Sequence, residues 1–169
     1  MLKLLGSALV AAGALWAGVS ATQRLRRKLE VLEQLCRGLE QMEGEMALSC
    51  PELEGWMARL AATASGAAGE LFAAFGASLA RLGEKRAALL WGEAVEGIAH
   101  LDREGRDILI PLGEFLGRYE GEEQCRAIRA VRARLEGLYT RQSGEYRERS
   151  RLCRVLSLSG GAFLVILLL

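Results

Sequence analysis

An uncharged run stands at each end of the chain, and a cluster of basic residues borders each run on the side facing the middle of the chain. From Leu4 to Thr22 there are 19 residues without a charge, preceded by Lys3 and followed after Gln23 by Arg24, Arg26, Arg27 and Lys28. At about 1.5 Å per residue such a helix reaches about 28 Å, close to the roughly 30 Å thickness of a bilayer's hydrocarbon layer. The run therefore predicts a membrane anchor with a basic stop, residues 1–23. Val19-Ser20-Ala21 also resembles a small-residue cleavage site, as a signal peptide would have. Four cations directly beyond that site oppose export, and the positive-inside bias holds residues 24 onward in the cytoplasm with the N-terminus outside.

At the other end, Val155 to Leu169 is 15 uncharged residues following Arg147, Arg149, Arg151 and Arg154. A helix of that length spans only about 22 Å, so a full crossing requires local bilayer thinning, snorkelling of Arg154 or shielding in an oligomer. A buried core helix is the competing reading. It is weakened because Leu164 to Leu169 is apolar on every face. Residues 155–169 are thus expected to be a short C-terminal transmembrane segment.

All 21 acidic residues lie between Glu30 and Glu148, and of the 22 basic ones only Lys3 lies outside Arg24 to Arg154. Residues 24–154 therefore carry no net charge and read as a mixed-charge cytoplasmic domain held between two anchors on the same side. With no basic field, no nucleic acid is expected as a partner. The single histidine, His100, leaves no His-based metal site or nucleophile–histidine pair, and reads as a helix-end or partly exposed side chain. Cysteines stand at 36, 50, 125 and 153 with no CxxC pair, and their placement in or beside the reducing side predicts free thiols. No P-loop, GxSxG, HExxH, GxGxxG or calcium-loop pattern occurs. Glu122-Glu123 stands where a helix dipole favours acids. No enzymatic activity, catalytic residue, metal or cofactor is expected.

Within the domain the apolar spacing is helical throughout. Leu25, Leu29, Leu32, Leu35, Leu39, Met42 and Met46, with Cys36 alongside, make one stripe continuous with the first anchor, to be buried in its own domain or used for self-association. Ser49-Cys50-Pro51 is expected to end this helix and start a second, with the Ser hydroxyl as cap. Leu53, Trp56, Met57, Leu60 and Ala64 mark that second helix, broken by Ser65-Gly66. Leu71, Phe72, Phe75, Leu79 and Leu82 mark a third, stopped by Gly83. Ala87, Leu90, Trp91, Ala94, Val95 and Ile98 mark a fourth. A fifth runs from about Asp102 to Leu116 with a kink at Pro111. A sixth, from about Glu122 to near Arg151, carries Cys125, Ile128, Val131, Leu135, Leu138 and Tyr146. No stretch alternates like a strand. The fold class is all-α, a bundle of about six helices between an N-terminal and a short C-terminal transmembrane helix. Gly55, Gly92, Gly97, Gly137 and Gly144 fall in helix interiors, where each costs up to about 1 kcal/mol relative to Ala. They imply either close helix approach or a marginally stable domain.

One block stands out, LGEFLGRYEGEEQ from Leu112 to Gln124. Gly113 and Gly117 are four apart and would share a helix face, allowing another helix close. Gly117 could equally cap the fifth helix, leaving Arg118 to Gly121 as the turn. The order of MLKLLG, anchor, basic run, helical domain with this block, and the C-terminal SGGAFLVILLL resembles the stage III sporulation protein AB family over the whole chain. Its most specific residues here are Gly113, Leu116, Gly117, Arg118, Glu120 and Gln124, together with both ends. Where the family usually has Asp, this chain has Glu120, a longer and poorer cap.

The resemblance implies an integral protein of the mother-cell membrane facing the forespore, with its soluble domain in the cytoplasm. That domain would resemble the inner-membrane platform protein of type II secretion. It implies a noncatalytic platform that couples a cytoplasmic motor ATPase, stage III sporulation protein AA, to a transenvelope channel assembly needed for endospore formation. Other membrane proteins of that complex and membrane lipid would be its further partners, and a homo-oligomer is left open. Gly113, Gly117, Arg118, Glu120 and Gln124 then become candidates for a helix corner or a partner contact. A stand-alone membrane-anchored adaptor and a membrane-anchored enzyme are the alternatives.

Overall fold

In the computed structural model the backbone is described for residues 2–48, 52–116 and 121–168, and the side chains for 23–48, 52–116, 121–148 and 150–152. Six α-helices follow one another: α1 (Leu2–Leu48), α2 (Leu53–Thr63), α3 (Ala67–Ser78), α4 (Ala87–Glu96), α5 (Arg103–Leu109) and α6 (Gly121–Leu168). Short 3-10 turns, Leu79–Arg81 and Ile110–Glu114, follow α3 and α5. Among the described residues there is no strand, only an isolated bridge between Leu82 and Lys85. Two compact units divide the chain, one of residues 28–140 and one of residues 1–27 with 141–169.

The helical stripes become the core of the first unit. Leu32, Leu35, Leu39, Met42 and Met46 of α1 join Trp56, Met57 and Leu60 of α2, Leu71, Phe72 and Phe75 of α3, Leu90, Trp91 and Val95 of α4, and Ile128, Leu135 and Leu138 of α6 in one apolar cluster. The stripe of α1 is thus used within its own domain. Burying one such side chain contributes about 1.5–3 kcal/mol, which is why the 3.6-residue period decides the helices here. At the centre, the Phe75 ring meets Trp91 edge-on with ring centroids 5.1 Å apart.

Helix ends depart from the expectations. Ser49, Cys50 and Pro51 lie outside the described residues, and the residue before α2 is Glu52, whose side chain makes no capping bond. Helix α3 is capped from a distance instead. Gly66 adopts φ +60°, and the Gln34 side-chain oxygen of α1 accepts the Ala67 N–H at 2.8 Å. Leu82 does not belong to the α3 stripe: it sits in extended backbone beyond the 3-10 turn and is 49% exposed. The fifth helix does not run as a kinked α-helix to Leu116. It ends at Leu109, and Pro111, which has no N–H to donate, sits at the start of a 3-10 turn. Asp102 caps α5 by accepting from the Gly105 N–H at 2.9 Å.

Close approach is not the role of the glycines expected to provide it. An added Cβ at Gly92, Gly137 or Gly144 would meet nothing within 4 Å, at Gly55 only the end of Arg59, and Gly97 lies at the end of α4 rather than inside it. Among the described residues no helix is long and apolar enough to cross a membrane. The side chains of 4–22 and 155–169, the two expected anchors, lie outside those residues.

Candidate helix corner and contact surface

Gly113 is buried in the 3-10 turn that follows α5, and it lies directly on α4. A Cβ placed on it would come 2.9 Å from Cβ and Cδ1 of Trp91 and 3.0 Å from the main-chain Cα of Ala88. Those separations are too short for any real side chain, so only glycine lets the turn seat against the α4 backbone. The seat is held by polar as well as apolar contact. The Trp91 indole N–H donates to the Leu109 carbonyl at 2.9 Å. Leu112 and Leu116, both fully buried, flank Gly113 on the core side, and the Phe115 N–H closes the turn on the Leu112 carbonyl at 3.0 Å. Gly113 is therefore seated directly on α4. Gly113 itself lies in the 3-10 turn of residues 110–114, not in an α-helix.

Gly117, Arg118 and Glu120 lie outside the described residues. Gln124 stands half-buried in the first turn of α6, where Glu122 and Glu123 occupy the positions that the helix dipole favours for acids.

Two charge clusters that no motif announces hold the helices in place. Glu43 of α1 is only 14% exposed at its side chain, and it accepts from Arg129 Nε at 2.7 Å and from Arg132 Nε at 3.1 Å. The hydrogen bond from Arg129 is the chief cause that keeps its carboxyl below the ordinary range. Arg132 continues to Glu136 at 2.8 Å. Elsewhere, Glu93 of α4 accepts from Arg81 at 2.8 Å and from Lys85, tying the turn after α3 to α4. That pair of cations, Lys85 foremost, also lowers the Glu93 carboxyl. Ion pairs that stay in contact with solvent add little to stability, so these orient rather than stabilise.

Cys36 and Cys125 are both free and half-buried. Burial pushes the Cys36 thiol up to about 11, with the nearby Glu136 and Glu33 adding to it. Such a thiol is a poor nucleophile at neutral pH. His100 lies exposed in a turn after α4 with φ 62°. Among the described residues no three His, Cys, Asp or Glu side chains come together as a metal site. What the described residues assemble is a packing corner on α4 and charged helix surfaces.

Three comparisons bear on this architecture. The family model described as stage III sporulation protein AB matches residues 3–169. A solved structure titled "Stage III sporulation protein AB (SpoIIIAB)" is similar in fold, with a TM-score of 0.60 and 21% sequence identity, covering 69% of this chain and 94% of that one. Comparison with curated protein sequences gives no match.

Proposed function

Because the chain belongs to the stage III sporulation protein AB family, with a role in sporulation, we propose that it is a noncatalytic membrane platform, coupling a cytoplasmic motor ATPase to a transenvelope assembly. The family is not a known enzyme family. In this reading residues 4–22 and 155–169 anchor the chain in the mother-cell membrane, and the helical domain between them faces the cytoplasm. The motor partner is stage III sporulation protein AA, and the fold is of the kind used by the type II secretion platform.

One observation carries the reading. α1 is a single helix of 47 residues and α6 one of 48, and each runs without a break from the packed core into one of the apolar ends. In this reading the helices that pack the domain continue into its two anchors, with no separate linker sequence between domain and membrane. A merely tethered adaptor would need no such continuity.

The test is direct binding between the full chain in detergent and the purified ATPase, followed by calorimetry. Saturable binding is expected, and Arg118→Glu should weaken it while leaving the melting temperature nearly unchanged. No binding by the unaltered chain would overturn the coupling role. Binding that Arg118→Glu leaves intact would move the contact to another surface of the domain.

A further inference from the structure

Each of the two long helices exposes a charge of opposite sign at one common height, Glu40 on α1 and Arg134 on α6. On α1, Glu33, Glu43 and Glu45 are each held by an arginine, whereas the exposed Glu30 and Glu40 enter no ion pair among the described residues. On α6, Arg129 and Arg132 are taken up by Glu43, whereas the exposed Arg126 and Arg134 enter none. Small residues lie beside the unpaired charges. Gly44 of α1 and Ala130 and Gly137 of α6 are exposed, and a Cβ on either glycine would meet nothing within 4 Å.

Within one chain, Glu43 bonds to Arg129 and Arg132, which sets the level at which antiparallel α1 and α6 pass each other. At that same level Glu40 corresponds to Arg134 and Gly44 to Ala130. Leu48, 89% exposed at the end of α1, corresponds to Arg126. Rotating or shifting a copy about an axis parallel to these helices preserves height. It would therefore set the α1 face of one copy against the α6 face of the next with the carboxylate, the arginine and the small residues already in register.

We propose that α1 of one copy docks on α6 of a second copy, through a head-to-tail contact in which Glu40 pairs with Arg134 and Gly44 lies against Ala130. The contact uses two different patches, so it repeats around a ring or along a row rather than stopping at a closed dimer. Charge complementarity fixes the register and disfavours α1 on α1, where Glu40 would face Glu40. This inference does not rest on the coupling role, since it concerns only residues of the compact unit.

Sedimentation of the full chain in mild detergent tests it. The unaltered chain should self-associate in a salt-sensitive way, and Glu40→Arg and Arg134→Glu should each weaken association by about tenfold or more, because like charges then meet. Mixing the two variants should restore assembly, since the α1 face of one variant then meets the α6 face of the other with opposite charges again, their signs exchanged. Helix content by circular dichroism serves as the folding control, with Glu40→Gln and Arg134→Gln replacing any variant that loses it. A chain that stays monomeric at tens of micromolar, on the order of the concentrations at which weak interfaces form, overturns the proposal. So does association that both variants leave unchanged, or a mixture no better than either variant alone.

Discussion

The indole Nε1 of Trp91 donates to the main-chain carbonyl of Leu109 at 2.9 Å, and both residues are completely buried. This bond joins the middle of α4 to the end of α5, two residues before Pro111 breaks the helix. The proline has no N–H with which to continue the α5 ladder, and the Leu109 carbonyl at the helix end accepts from the tryptophan. The 3-10 turn then carries Gly113 against the same indole.

Trp91→Phe should lower the unfolding free energy by about 2–4 kcal/mol, through the lost hydrogen bond to a buried carbonyl and the volume removed from the core. Urea denaturation of the chain in detergent, followed by circular dichroism, measures it. A loss below about 1 kcal/mol would mean that water or another donor replaces the indole.

Two alanine substitutions should act in opposite directions. Gly113→Ala forces a methyl group to within 3.0 Å of the α4 backbone and should cost about 1–3 kcal/mol. Gly137→Ala adds a methyl in open space on α6 and should stabilise by up to about 1 kcal/mol through helix propensity. Equal shifts in melting temperature for the two would contradict the packing described.

Gln34→Ala removes the acceptor for the Ala67 N–H and leaves the start of α3 uncapped. A loss of about 0.5–2 kcal/mol is expected, the range for an ordinary N-cap, although this one is supplied from another helix. Faster amide exchange at Ala67 in the variant would locate the effect.

Cys36 should respond to alkaline pH with a definite sign. Its thiol is held near 11 in the folded chain against an ordinary value of 9.0, so between those values the unfolded chain loses a proton that the folded one keeps. Stability from this group is therefore fully present below about pH 9 and declines as pH rises toward 11. At pH 8 its alkylation should be about a hundredfold slower than that of a free cysteine, a ratio set by the thiolate fraction alone. Cys36→Ser should remove the slow phase from the labelling time course.

Cys125 reports the side of the membrane on which the domain lies. If the basic flanks at Arg24 and Arg154 hold the domain inside, as proposed, a membrane-impermeant maleimide should leave it unmodified in intact cells, and labelling should appear once the cells are permeabilised. Labelling of equal extent before and after permeabilisation would place residues 24–154 outside.

Helix positions were legible in the sequence because the signal is local. Leu32, Leu35, Leu39, Met42 and Met46 repeat within one turn of each other, and so do Trp56, Met57 and Leu60, so each stripe is written in neighbours that share a face. The whole-chain pattern of basic flanks and the block from Leu112 to Gln124 likewise carried the family resemblance without any packing. Leu82 escaped because an apolar residue at helical spacing looks the same whether or not the helix reaches it, and here α3 ends at Ser78, before the 3-10 turn that precedes Leu82. Of the candidate contact residues, Gly113 shows why a glycine is needed only once α4 lies against it, while Gly117, Arg118 and Glu120 lie outside the described residues. Gln34 with Ala67, Trp91 with Leu109, and Glu43 with Arg129 are 33, 18 and 86 positions apart. The sequence alone determined where the helices lie and which face of each is apolar, apart from the ends at Leu82 and after Leu109. Only the tertiary structure decided which polar atoms meet, because such pairs depend on the rotation and level of one helix against another, and no periodicity within a single helix encodes either.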